Sequence, residues 1–543
     1  MRSALLALPF APLLAVTPLY AAPDEAAETG CFREALVRPG ASVADALRSA
    51  TSGHRVLGFG ESVHGGDEFH RLPFDFALEL ARNEPVELAL EIDVTHAAAL
   101  DRWVQGADDP SLAGLFADRW WSSEIFYDEA LRSFLVAAHA LDRQRPGSLR
   151  FAGFDLKQPD LAAAEIVATV ARTDPARAAT IRSLADRILA LGGFGVFPNV
   201  AGFSATLELA LPPPDAGATV ALVVPLAGTG GSYGEAGVVV SPTGGDWSTR
   251  RVQSLPVTML RNEATLLPLP IPEGPGTIEL TLFHRGDGEV RFGWPRPVAS
   301  DGAATPESWE HLAPAPLAMP LLQKQDYRHR FEHRDDGSSE LVVAPDPAVA
   351  AARADLARIG QLLASPGAAR LADAERRTVE RAFRSLSQAL AWRTLEEPNR
   401  DRLLADNVLA LAAEAGPARR LLLLGHASHI ERIENRMGGW LSSALGERYG
   451  SVTLAAAAGS YKYFGDPRTT PAGAPLVDFP LPADPWFDWI PREVTAPFVL
   501  DTARARRCAG DALNRAGVRP ERTDLLVVLP RLRPIESART GAP

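Results

Sequence analysis

The sequence predicts an α/β fold: a mostly parallel central sheet flanked by helices, with an inserted all-β, sandwich-like domain. Three observations carry this expectation. From Arg55 onward, within a domain expected at residues 23–192, short apolar runs alternate with longer amphipathic stretches, as strands buried on both faces and joined by helices require. From Gly193 to Pro314 the helical period vanishes, and short alternating runs between Pro- and Gly-rich turns replace it. Over residues 315–543 helical stretches and then apolar strands return, so the β-rich segment reads as an insertion into one α/β unit.

Residues 1–22 stand apart as a signal peptide. Arg2 precedes an apolar run from Ala4 to Val16, and Leu19-Tyr20-Ala21-Ala22 supplies small residues for cleavage. The run is too short to span a bilayer, and Pro9, Pro12 and Pro18 make a poor helix of it. A periplasmic or secreted location is the expectation. Strands of the α/β part are expected at 55–59, 86–92, 150–154, 421–424, 452–457, 497–500 and 525–529, where the chain is short-run and apolar. Helices are expected at 123–140, 161–191, 348–363 and 372–391. Inside the insertion, alternation marks strands at 204–209, 220–225, 237–240, 277–282 and 289–292.

The bulk numbers exclude some functions. The 543 residues hold 46% hydrophobic and 22% charged side chains, ordinary for a globular chain with room for two or three domains. A net charge of -12 without a basic stripe speaks against a nucleic-acid surface. No second stretch reads as a membrane span. The two cysteines, Cys31 and Cys508, would bridge the two ends in an oxidising compartment or pack as two buried thiols. Cys508 lies in Ala-Arg-Ala-Arg-Arg-Cys-Ala with no histidine nearby, which argues against a catalytic thiol.

The chemistry concentrates where apolar strands end. Gly58-Phe59-Gly60-Glu61-Ser62-Val63-His64-Gly65-Gly66 runs from the first strand into a loop with a Glu and a His three apart. Leu421-Leu422-Leu423-Leu424-Gly425-His426-Ala427-Ser428-His429 repeats the arrangement with two of the chain's 11 histidines. Glu91 and Asp155 close two further apolar runs, where a buried charge needs a partner. In a parallel sheet such ends converge on one crevice. There a carboxylate can orient an imidazole for proton transfer. Gly230-Gly231-Ser232-Tyr233-Gly234 matches a nucleophile-elbow pattern, but the strand-like Val238-Val239-Val240 follows it where a helix is needed. Neither a P-loop nor a His-Glu-x-x-His helix occurs.

These motifs, with Glu68-Phe69, Gly153-Phe154-Asp155 and Arg400-Asp401-Arg402-Leu403-Leu404-Ala405-Asp406-Asn407, stand in an order that resembles the erythromycin esterase-like family. The likeness covers about residues 56–160 and 401 to the C-terminus; the β-rich insertion lies outside it. It implies a hydrolase of esters or macrolactones, macrolide antibiotics among them, in which His64 activates water without a covalent intermediate. It also implies that Glu61, Glu91, His426 and His429 complete the catalytic site. A departure stands at Pro73, where the family tends to carry Arg or Lys. Arg71 is the nearby candidate for the lost charge, and with Asp155 it is the expected substrate-binding pair.

General-base help is worth about 10² to 10⁴-fold, and a second, protonated imidazole at His426 or His429 suits an oxyanion. The expected partner is a small-molecule ester or lactone, with no cofactor. Two alternatives stand beside this reading. The same His and Glu cluster could hold a divalent metal such as zinc or manganese. Alternatively the insertion captures a glycan or cell-envelope ligand beside an inactive α/β part, with Trp247 and Trp294 as a stacking platform.

Overall fold

The computed structural model describes residues 34–536 apart from 38–41, 107–111, 118–125, 127, 193, 195–202, 211–220, 230–233, 243–250, 271–276, 287, 294, 299–326, 334–338, 366–370, 395–396, 398, 464–476, 482–495 and 507–520. The expected signal peptide, Cys31, Cys508, Ser232, Trp247 and Trp294 lie outside the described residues.

Three strands open the chain: β1 (Val56–Glu61), β2 (Val86–Asp93) and β3 (Leu149–Asp155). The β-rich segment follows as β4 (Phe203–Ala210), β5 (Ala221–Thr229), β6 (Gly234–Pro242), β7 (Arg251–Pro256), β8 (Thr265–Pro270), β9 (Thr277–Gly286), β10 (Glu289–Gly293), β11 (Arg296–Val298), β12 (Tyr327–His333) and β13 (Ser339–Pro345). The chain then supplies β14 (Arg420–His426), β15 (Tyr449–Ala456), a hairpin of β16 (Ser460–Tyr463) and β17 (Val477–Pro480), β18 (Phe498–Asp501) and β19 (Leu525–Leu529).

The central sheet has the order β18-β19-β15-β1-β14-β2-β3. Every pairing in it is parallel except β18 against β19. Every residue of β1, β2, β15 and β19 is buried, which accounts for their unbroken apolar character. Helices Asp67–Ala81 and Glu129–Gln144 pack Phe69, Phe74, Phe76 and Phe134 into the same core as Phe59 and Leu90. The long helix expected at 161–191 is two, Pro159–Ala171 and Pro175–Leu189, because Asp174 caps the second and Pro175 starts it. These two share an apolar cluster with the helices Pro347–Ala364 and Asp373–Arg393. Among the described residues, no helix is long and apolar enough to cross a membrane.

The insertion forms two antiparallel sheets, β4-β9-β6-β7 and β11-β5-β10-β13-β12 with β8 on β5. Val238 and Leu280 from the first sheet share one core with Leu226, Phe292 and Val343 from the second. Strands β12 and β13 extend it past Pro314 to Pro345. The charges in Tyr-Arg-His-Arg-Phe-Glu-His hide the alternation of β12 in the sequence.

The strand order positions the site. β14, from late in the chain, lies between β1 and β2, with Glu61 paired to His426 in register. Positions 61, 91 and 426 therefore meet at adjoining carboxyl ends of parallel strands, where open α/β sheets bind their ligands.

Candidate active site

Glu61 ends β1 with no exposed surface, and its Oε1 lies 2.6 Å from His64 Nδ1. An ionised carboxylate only accepts, so Nδ1 carries the proton and Nε2 is left to act as acceptor. On the other side, Glu61 Oε2 is 3.2 Å from Nε2 of His70, whose Nδ1 lies 2.7 Å from Asp128 Oδ2. The 3.2 Å contact is a charge contact, because neither atom completes an aligned hydrogen bond. Burial would raise the Glu61 carboxyl, but the His64 and His70 rings outweigh it and bring it down to about 2. Burial would lower His70, and Asp128 with Glu61 reverses this, lifting it to about 10. Gly65, at φ 79°, carries the loop past the hairpin, and a Cβ there would strike the Lys462 carbonyl.

His426 caps the short helix Ala427–Ile430, its ring 4.8 Å from that of His64 between centroids. The backbone N–H of Ser428 donates to His426 Nδ1 at 3.2 Å, with Ser428 Oγ at 2.8 Å. An Nδ1 that accepts a backbone proton leaves the ring's own proton on Nε2. Burial, with His64 beside it, pushes His426 down to about 4, so its ring is neutral at about pH 7, whereas the sequence offered His426 or His429 as a protonated imidazole.

Glu91 binds the segments together. Its Oε2 accepts the His426 backbone N–H at 2.9 Å, and Oε1 lies 3.1 Å from Arg400 Nη2 and 3.5 Å from His429 Nε2. Gly425 makes room for it, since a Cβ there would sit 2.9 Å from Glu91 Oε2. Burial would raise Glu91, but His429 and Arg400 hold it well below the usual carboxylate range. Arg400, on helix Arg400–Ala415, also grips Asp155 through Nε at 3.0 Å and Nη2 at 2.7 Å. His429 Nδ1 lies 2.5 Å from Asp401 Oδ1, and Asp401 also takes Arg436 and the Met437 N–H.

The structure thus brings Glu61, His64, Glu91, His426 and His429 together. Asp155 is 3% exposed, and its oxygens meet Arg400, the Leu156 N–H and Lys157. Arg71 donates to Asp67 at 2.7 Å on its own helix, and its side-chain contact is there rather than with the imidazoles. Among the described residues, no three His, Cys, Asp or Glu side chains are grouped to hold a metal ion.

The sequence profile of the erythromycin esterase family matches residues 87–195 and 306–514, more than half of the chain. The chain belongs to the erythromycin esterase family. No curated protein matches it in sequence. Among solved structures, a protein from Bacillus cereus shares the fold at TM-score 0.50 and 11% identity, covering 95% of this chain and all of that one. A succinoglycan biosynthesis protein (TM-score 0.49, 10% identity, 95% and 100% covered) and an erythromycin esterase mutant in its open conformation (0.48, 13%, 91% and 96%) also match. Family membership supports a hydrolase-like function. The segments matching the erythromycin esterase profile contain Glu91, Asp155, Arg400, Asp401, His426 and His429, while Glu61 and His64 lie before the first.

Sequence reasoning assigned no role to His70, Asp128, Arg400 or Asp401. Arg400 and Asp401 stood in a motif of the erythromycin esterase resemblance. For His70 the available signal was a polar residue on the apolar face of its helix, next to Phe69 and four before Phe74.

Proposed function

We propose that the protein hydrolyses an ester or lactone by attack of water that His64 deprotonates. The observation that supports this reading most is the meeting of His64 and His426 rings with their hydrogen bonds set in opposite senses. His64, fixed by Glu61 at Nδ1, takes a proton through Nε2. His426, fixed by Ser428 at Nδ1, offers a proton from Nε2. Hydroxide adds to the carbonyl carbon, and the resulting oxyanion takes the His426 hydrogen bond in a largely buried setting. Collapse breaks the acyl C–O bond, and the His64 imidazolium returns its proton to the leaving alcohol. Water is consumed, and an acid and an alcohol are released.

The test is a panel of simple esters and macrolactones, read by the mass gain of one water on ring opening or by acid release, with and without a chelator. The parent should hydrolyse at least one class, and His64→Ala should be slower by about 10² to 10⁴-fold. Equal rates for parent and variant would end the proposal; activity lost only to the chelator would transfer the water to a metal.

A further inference from the structure

We infer that His70 is a positioning residue: held as an imidazolium between Glu61 and Asp128, it offsets part of the Glu61 charge and sets the pH at which His64 accepts a proton. The inference rests on the reading of His64 as the base, and its test can fail separately from that reading.

The geometry supplies the argument. Both His70 ring nitrogens face carboxylate oxygens, Nδ1 at 2.7 Å from Asp128 and Nε2 at 3.2 Å from Glu61. Ionised carboxylates have no proton to give, so a ring between two of them carries one on each nitrogen. Glu61, His70 and Asp128 are all 0% exposed, so water cannot screen the charges, and two carboxylates facing a neutral ring would be severely penalised. Phe126 stacks on His70 at 5.2 Å and Phe74 lies at 6.1 Å, closing the ring away from solvent. The upward shift of His70 agrees with the arrangement.

The consequence reaches His64 through Glu61. A carboxylate with undivided charge would stabilise His64 as a cation, and an imidazole already protonated at neutral pH is no base. Dividing that charge with His70 leaves Glu61 able to orient His64 without holding its proton too tightly. Among the described residues, His64 is also faced by His426, at the end of β14, and by Glu91 on β2, which acts through its charge. His70 is faced by Glu61 and Asp128, and Arg71 acts in turn as the cation nearest Asp67 and within reach of Asp128.

Two variants shift the balance in opposite directions. His70→Gln keeps an amide donor and removes the charge. Asp128→Asn keeps a cap for helix Glu129–Gln144, where Asp128 Oδ1 accepts the Leu131 N–H at 2.8 Å, and leaves the His70 charge facing Glu61 alone. The acidic limb of the kcat/KM profile should move up by about one pH unit in His70→Gln and down in Asp128→Asn. Titration of the ¹³C-labelled His64 ring by NMR in the full chain, assigned with His64→Ala, should show the same two shifts without any substrate. If that titration shifts while no ester is hydrolysed, the inference stands and the esterase reading falls. Limbs left at the parental position, or moved the same way in both variants, would reduce His70 to core packing. Should His70→Gln not fold, the direction of the Asp128→Asn shift decides alone.

Discussion

At the carboxyl edge of the parallel sheet, Glu61, His70, Glu91, Asp128, Asp155, Arg400 and Asp401 are all buried, while the core between the two sheets of the insertion is Val, Leu, Ile, Phe and Ala, with His284 buried near the end of β9. Both regions bury their side chains, yet in opposite ways. The insertion removes apolar area from water, worth roughly 25 cal/mol per Å² and indifferent to pH. The sheet edge buries charges that cost several kcal/mol each to desolvate, and it recovers that cost only through partners at hydrogen-bond distance. Replacing such buried ion pairs by apolar side chains of similar volume is often neutral or stabilising, so burial alone gives no folding advantage to the polar edge.

The largest expected effect follows from removing the cation that joins two of those charges. Arg400→Met leaves Glu91 and Asp155 buried without their shared guanidinium, and should cost about 3–5 kcal/mol at neutral pH. Against the upward push of burial, His429 with Arg400 holds Glu91, and Arg400 with Lys157 holds Asp155, below the ordinary carboxylate range. The stability they contribute is therefore present above the ordinary carboxylate range and lost as pH falls from it toward the depressed folded values, so the cost of the variant should be smaller at about pH 3 than at about pH 7. Leu280→Ala in the insertion core should cost about 2–5 kcal/mol at every pH. Denaturant unfolding of both variants at about pH 7 and about pH 3 separates them, and matching pH responses would erase the distinction between the regions.

The sequence made one half of this picture legible and concealed the other. β1, β2, β14 and β19 showed as apolar runs because a strand buried on both faces has no polar side to dilute it. A charge that ends such a run, as Glu61, Glu91 and Asp155 do, stands out against it. Their partners did not stand out, because His70, Arg400 and Asp401 sit on helices, where polar residues recur in any case. The neutrality of His426 was equally hidden, since it depends on the Ser428 N–H and on burial rather than on residue type. In the insertion, Gly and Pro punctuation revealed β4, β5, β6, β9 and β10, whereas charge-rich β12 and the short β11 gave too little alternation to read.

A buried carboxyl outside the crevice sharpens the comparison at smaller amplitude. Glu87 lies near the start of β2, 5% exposed, and among the described residues its carboxyl makes no hydrogen bond or ion pair. Arg150, Arg381 and Arg419 are near but engage Asp101, Glu414 and the carbonyls of Val86 and Gly147. Burial pushes Glu87 up to about 7. An acid raised in the folded state loses stability as pH rises from 4.5 through 7. Glu87→Gln should thus match the parent near pH 4.5 and gain toward a limit of about 3 kcal/mol above pH 7. A gain that did not vary with pH would mean that the charge is not what burial penalises there.

The smallest effect is expected on the outer surface of the insertion. Leu266 on β8 is 60% exposed and Val252 on β7 is 58% exposed, so neither adds much to the shared core. Leu266→Thr introduces a β-branched side chain suited to the strand and removes little buried area. Its unfolding free energy should stay within about 0.5 kcal/mol of the parent, with hydrolysis unchanged. A loss of more than 1 kcal/mol in the isolated chain would show that an exposed apolar position here does the work of a core residue, and the division between a pH-indifferent interior and an inert surface would have to be redrawn.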